Sequence, residues 1–214
     1  MGTDIHGVFQ KRNKNGTWED VPHKYSENRH YSLFAWLGDV RNGTGFAGVP
    51  THTRIEPLSS HRGFPHDFAV VGGSTADENA VHPIADINLL PEWRQKYLED
   101  GEPLQVYMGY HGFSWLLDDE ILNATPPRIL RTGVISLDEF KDWDGVSPPP
   151  HGWSGAVWGK DLQTNHPSEI NAQTTHVQVE WFADMAEEFE DFINEVRRLK
   201  ELHGEVRFVF GFDS

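Results

Sequence analysis

The sequence predicts an α+β fold in one domain spanning residues 1–214, with a mixed β-sheet made from an N-terminal hairpin and a C-terminal β-α-β unit. Three observations lead there. Two short β-prone runs flank an Asn-Gly turn near the start. The last 40 residues read as strand, amphipathic helix and strand. Between them, residues 43–91 show almost no periodicity and are rich in Gly, Pro, Ser and His, so long irregular loops join the regular parts.

In chain order, residues 4–11 and 17–21 flank Asn13-Lys14-Asn15-Gly16 and form the expected hairpin. Strand alternation puts Asp4, His6, Val8 and Gln10 on one face and Ile5, Gly7 and Phe9 on the other. Residues 32–41 carry apolar side chains at helical spacing behind a Ser32 cap, with Gly43 as the stop, which predicts a short helix packed on the hairpin. Ser114 to Glu120 reads as a capped helix whose acids lie in its first turns. Residues 131–136 suit a strand, and Ser136 with Glu139 forms a capping box that opens a helix. Residues 147–152 are loop. The C-terminal unit comprises a strand at 174–180, a helix at 182–202 and a strand at 206–212. On the helix, Phe182, Met185, Phe189, Phe192, Val196 and Leu199 share a stripe. A helix of this length fits a right-handed crossover between parallel strands.

Composition narrows the function. Aromatics make up 12% of the chain, with 8 Trp and 13 Phe, so it has ample apolar surface for a core. Cysteine is absent, which excludes disulfides and thiolate metal sites and leaves His, Asp or Glu as ligands for a divalent metal. No apolar run approaches the roughly 20 residues of a membrane span, and no signal peptide is visible, so the expected location is the cytoplasm. The formal charge of −15 opposes binding to duplex nucleic acid or to an anionic membrane. That charge is uneven. Residues 22–66 hold Lys24, Arg29, Arg41, Arg54 and Arg62 against Glu27, Asp39 and Glu56, together with five of the 12 histidines. Screening over about 8 Å lets such an island hold an anion on an acidic protein.

A set of segments resembles a family of hypothetical tailed-phage proteins. It comprises the opening Met1-Gly2-Thr3-Asp4-Ile5-His6, then Tyr31-Ser32-Leu33-Phe34, Val40-Arg41-Asn42-Gly43, Gly45-Phe46-Ala47-Gly48 and Arg62-Gly63-Phe64-Pro65 with Asp67, and the closing 206–213. The likeness runs from end to end. Near Ser114-Trp115 the family pattern has two histidines separated by one residue; here His111 matches and Phe113 replaces the second. The resemblance implies phage origin and a location in the host cytoplasm, and carries no activity.

Two sets of residues are candidates for chemistry. Asp4 and His6 share a strand face and, with His111 and Asp213, would supply a metal site or an acid/base pair, provided the last strand lies beside the first. The competing reading makes Asp4 a backbone brace and His6 a core histidine. The second set is Arg29, Arg41, Asn42, Gly43, Gly45, Arg54 and Arg62. Here a glycine-rich turn would form an anion nest beside guanidinium groups suited to phosphate. The string Gly43-Thr44-Gly45-Phe46-Ala47-Gly48 follows a helix and not a strand, which argues against a dinucleotide fold. The competing reading makes these arginines loop braces.

The leading expectation is a phage accessory protein that binds a small phosphorylated nucleotide, with arginines and histidines on the phosphate and aromatics on the base, capturing a host defence signal. The alternatives are a metal-dependent phosphoesterase using Asp4, His6, His111 and Asp213, and a blocker of a host protein. Homo-oligomerisation is left open.

Overall fold

The first hairpin forms where the Asn-Gly signal places it. Strand β1 (Asp4–Arg12) turns through residues 13–17 into β2 (Trp18–Val21), and Gly16 takes the positive φ of 86° that the turn requires. The computed structural model describes residues 2–25, 29–74, 78–90, 92–99 and 101–214; Glu27 of the basic segment lies outside them. The remaining strands and α-helices of the described residues are α1 (Tyr31–Gly38), β3 (Val81–Pro83), α2 (Glu92–Lys96), β4 (Gln105–Tyr107), β5 (His111–Leu117), α3 (Asp118–Leu122), β6 (Arg128–Ser136), α4 (Leu137–Asp142), β7 (Thr164–Asn165), β8 (His176–Asp184), α5 (Met185–Glu188), α6 (Glu190–His203) and β9 (Val206–Asp213). The fold is α+β.

Among the described residues the strands form three sheets with orders β2-β1-β9-β5, β3-β4 and β6-β8-β7. β9 lies antiparallel to β1 with Asp4 opposite Asp213, and antiparallel to β5 on its other side. Both faces of this sheet are covered. Ile5, Phe9, Phe208, Phe210 and Phe212 pack toward α1, α6 and the β6-β8 sheet, while Val8 and Val209 pack against Phe68, Ala80, Val106 and Met108. Phe9 stacks on Phe208 at 4.5 Å, and Trp36 of α1 stacks on Phe189 at 5.0 Å.

Several elements differ from the sequence reading, each for an identifiable reason. Helix α1 is buried on every side from Ser32 to Gly38, as its continuous apolar sequence demands, so Ser32 is no cap: its hydroxyl accepts from Arg131. The helix stops at Asp39 in the left-handed region (φ 58°), before Gly43 is reached. Asp39 tolerates that geometry while its carboxylate accepts from Asn42 and Arg54. Ser114 to Leu117 belong to strand β5, because pairing with β9 outweighs a short apolar run that suits either state; the acids Asp118, Asp119 and Glu120 do open α3. The C-terminal crossover changes sheets: β8 pairs with β6 and β7, whereas β9 joins β1 and β5. Phe182 lies on β8 and faces outward, since Val177, Val179, Trp181 and Ala183 take the buried positions. The rest of the predicted stripe, Met185 to Leu199, is buried as expected.

β6 is the edge strand of its sheet, and its outer edge is covered by two loops. Thr53 N donates to Leu130 O and Thr132 N to Thr51 O, both at 2.9 Å, while Val134 and Ser154 exchange bonds of 2.7 and 3.0 Å. The first loop is centred on Arg131, which bridges to His52, and the second docks further along the same edge at Val134.

Candidate functional site

Arg131 alternates with Ile129, Gly133 and Ile135 on the core face of β6, which sets a guanidinium on an otherwise apolar stripe. Its side chain is 8% exposed. Nη2 donates to Ser32 Oγ at 3.0 Å and to Glu188 Oε2, and touches Met185 Sδ at 3.7 Å. All three contacts use Nη2. Among the described residues nothing accepts from Nε or Nη1, so the guanidinium retains donors for a further acceptor.

Glu188 ties two elements to this group, accepting also from His30 Nε2 at 3.0 Å. Burial works to raise its pKa, but the His30 hydrogen bond and the Arg131 charge outweigh that and hold it below the ordinary carboxylate value. His52 stands on the other side. Gly43 N donates to its Nε2 at 3.2 Å, so the ring proton lies on Nδ1, which donates to Thr51 Oγ1 at 3.1 Å. Burial, and then the charge of Arg131, depress its pKa from 6.5 to about 4, so the ring is neutral.

These groups line a cavity of about 600 Å³. Tyr31, Phe46, Trp153 and Trp158 give it an aromatic part. Trp153 lies 5.4 Å from the Arg131 guanidinium and edge-on to Trp181 at 5.3 Å. Gly133 makes room for it: a β-carbon there would sit 2.7 Å from the Trp153 ring. Trp158 and Phe46 complete the rim at 68% and 53% exposed, far more than rings of this size show when they serve a core.

Of the residues singled out in the sequence, Arg29 and Gly45 line this cavity, together with His30 and His52 of the basic segment and Phe46 of the glycine-rich string. The others do not converge on it. Asn42 is a brace: its amide donates to Asp39 and to Ile55 O and its oxygen accepts from Ile55 N. Arg54 pairs with Asp39 at 2.9 Å. Arg62 grips Glu120 at 2.7 and 3.1 Å and lines a separate cavity. Arg41 Nε donates to Thr3 Oγ1 at 2.6 Å. The glycine turn is closed on itself, because Gly43 N goes to His52, Gly45 N to Val49 O and Gly48 N to Gly45 O. No anion nest is made from those three amides.

The other candidate set is gathered by topology, with His6 and Asp213 paired to each other and Asp4 and His111 engaged elsewhere. Asp4, His6 and Asp213 meet where β1 and β9 run side by side, with His111 opposite Phe212 on β5. His6 Nε2 lies 3.2 Å from Asp213 Oδ2. Arg29 closes on both Asp4 oxygens at 2.6 and 2.9 Å, a fork that holds the Asp4 pKa below its ordinary value. His111 Nε2 is 3.0 Å from Ser214 Oγ, and burial lowers the His111 pKa. Among the described residues no three His, Asp or Glu side chains are grouped to hold a metal ion.

Arg131, Glu188, Trp153 and Trp158 were not singled out from sequence. For Arg131 a signal exists, namely a charge on the apolar face of a strand. Trp153 and Trp158 sit in an aperiodic loop, where sequence alone assigns them no neighbours. No protein-family model matches the chain, and comparison with curated proteins and with solved structures likewise finds no match. Among the described residues no helix is long and apolar enough to cross a membrane.

Proposed function

We propose that the cavity floored by Arg131 binds a small phosphorylated ligand with a flat ring, of the nucleotide class. The observation that carries this reading is a nearly buried guanidinium with Nε and Nη1 unspent, beside aromatic rings exposed well beyond core needs. Guanidinium donors suit phosphate oxygens, and indole faces suit a base whatever its identity. Arg29 at the rim adds a second positive group, although Asp4 already engages its fork. Binding is favoured over metal-dependent hydrolysis because the Asp4 carboxylate is committed to Arg29. In a phage protein, such a site would capture a nucleotide signal of the host.

Calorimetry with a panel of nucleosides, nucleoside monophosphates and cyclic nucleotides tests the proposal, with chromatography to recover the ligand. Phosphorylated members should bind at least ten-fold tighter than their nucleosides and return intact. Arg131→Lys keeps the charge beside Glu188 but removes the fork, and should weaken them by about 1.5–3 kcal/mol. Trp158→Ala, at an exposed position, should lose about 1–3 kcal/mol if the base stacks there. Equal affinity for nucleoside and nucleotide, or no binding across the panel, overturns the reading.

A further inference from the structure

Arg207 is a second buried guanidinium, far from Arg131 in sequence and lining a different cavity. It sits on β9 opposite Gln10 of β1 and Leu117 of β5, on the sheet face that carries Val209. Its side chain is 4% exposed. Nε donates to Gln10 Oε1 at 2.8 Å, Nη1 donates to Asp67 Oδ1 at 2.8 Å, and the plane lies 4.3 Å from the Trp18 ring. Among the described residues Nη2 is buried with no hydrogen-bond partner. A guanidinium presents Nη1 and Nη2 as a fork suited to two oxygens of one anion, so Asp67 uses only half of it. An unpaired charged donor inside a protein is costly, so an acceptor that reached Nη2 would relieve that cost.

The surroundings fit an anion on an apolar body. A cavity of about 590 Å³ lies against Arg207 and is lined also by Arg62, Phe64, His66, Asp67 and Trp115. Arg62, whose guanidinium is paired with Glu120, lies 5.3 Å from the Trp115 ring and borders the same space. Asp67 is the movable member. Its side chain is 55% exposed, it sits in a loop, and its grip on Arg207 is one-handed.

We infer that this cavity is an oxyanion site in its own right, with Asp67 standing in as an internal carboxylate that an incoming phosphate or carboxylate group displaces. The entering anion takes Nη1 and Nη2 together, and its organic part lies along Phe64 and Trp115. Nothing in this site depends on the Arg131 cavity.

Titration calorimetry with phenyl phosphate and with benzoate tests the inference and separates the two oxyanion sources. Asp67→Asn removes the competing charge and should tighten whichever probe fits by at least ten-fold. Asp67→Glu keeps an internal carboxylate and should stay as weak as the native chain. Arg207→Lys in the Asp67→Asn background should abolish binding; because that change risks the fold, the Asn-against-Glu contrast alone is sufficient to judge the idea. The inference is overturned if Asp67→Asn binds neither probe, or binds no tighter than Asp67→Glu. It is also overturned if Arg131→Lys abolishes the binding, for the probe would then occupy the other cavity.

Discussion

His52 ties the chemistry of one residue to the stability of the fold. The folded protein keeps its ring neutral down to about pH 4, whereas the unfolded chain protonates near the ordinary value of 6.5. Between those values the unfolded state binds a proton that the native state refuses, so stability falls as pH drops through this window. The slope reaches about 1.4 kcal/mol per pH unit for one such group. His23, its pKa lowered chiefly by burial, adds in the same direction. Glu195 acts lower on the scale. Burial opposes its ionisation, but the Arg198 hydrogen bond prevails and depresses its pKa below 4.5, so its contribution is lost as pH falls through that depressed value. Urea denaturation of the native chain and of His52→Gln at pH 4.5, 5.5 and 7 should show a flatter profile in the variant. Glutamine still offers an acceptor to Gly43 N and takes up no proton. Parallel profiles would mean that His52 does not set the slope.

At the scale of elements, helix α6 is held by its buried stripe. Leu199→Ala should destabilise by about 2–5 kcal/mol, whereas Leu202→Ala, on the exposed side, should stay within about 0.5 kcal/mol. Thermal or urea unfolding measures both, and equal losses would refute the assigned faces. The stripe was legible in sequence because it repeats over four turns, as were the Asn13–Gly16 hairpin and the Ser136 cap, where local chemistry alone decides. Short segments were not. Ser114-Trp115-Leu116-Leu117 suits helix or strand, and its state is fixed by β9, about 90 residues away. The site was half legible for the same reason: Arg29, His30, Gly45, Phe46 and His52 fall in the basic segment, but Arg131 and Glu188 come from β6 and α5, and Trp153 reaches the cavity where its loop docks on the edge of β6. That docking has its own test. Gly133→Ala places a methyl group against the Trp153 ring, so it should weaken the proposed ligand several-fold, read by calorimetry, while the β6-β8 pairing persists by circular dichroism.

At the scale of the whole molecule, two electrostatic lengths compete. Beyond about 8–10 Å an approaching anion meets the summed field of a chain with 33 acidic and 18 basic residues, and is repelled. Within the cavity it meets Arg131, shielded from salt by burial. Added salt therefore screens the repulsion more than the attraction, and the association rate of a nucleotide should rise with ionic strength, opposite to the usual behaviour of anion-binding proteins. Stopped-flow mixing at about 20 and 200 mM NaCl should show a rise of about two-fold or more, because the Debye length shortens roughly three-fold over that range. A nucleoside, lacking charge, should associate at the same rate in both. A nucleotide rate that falls with salt would mean that the basic groups of residues 22–66 steer the ligand from a distance. Arg29, exposed at the cavity rim, would then be the first of them to replace.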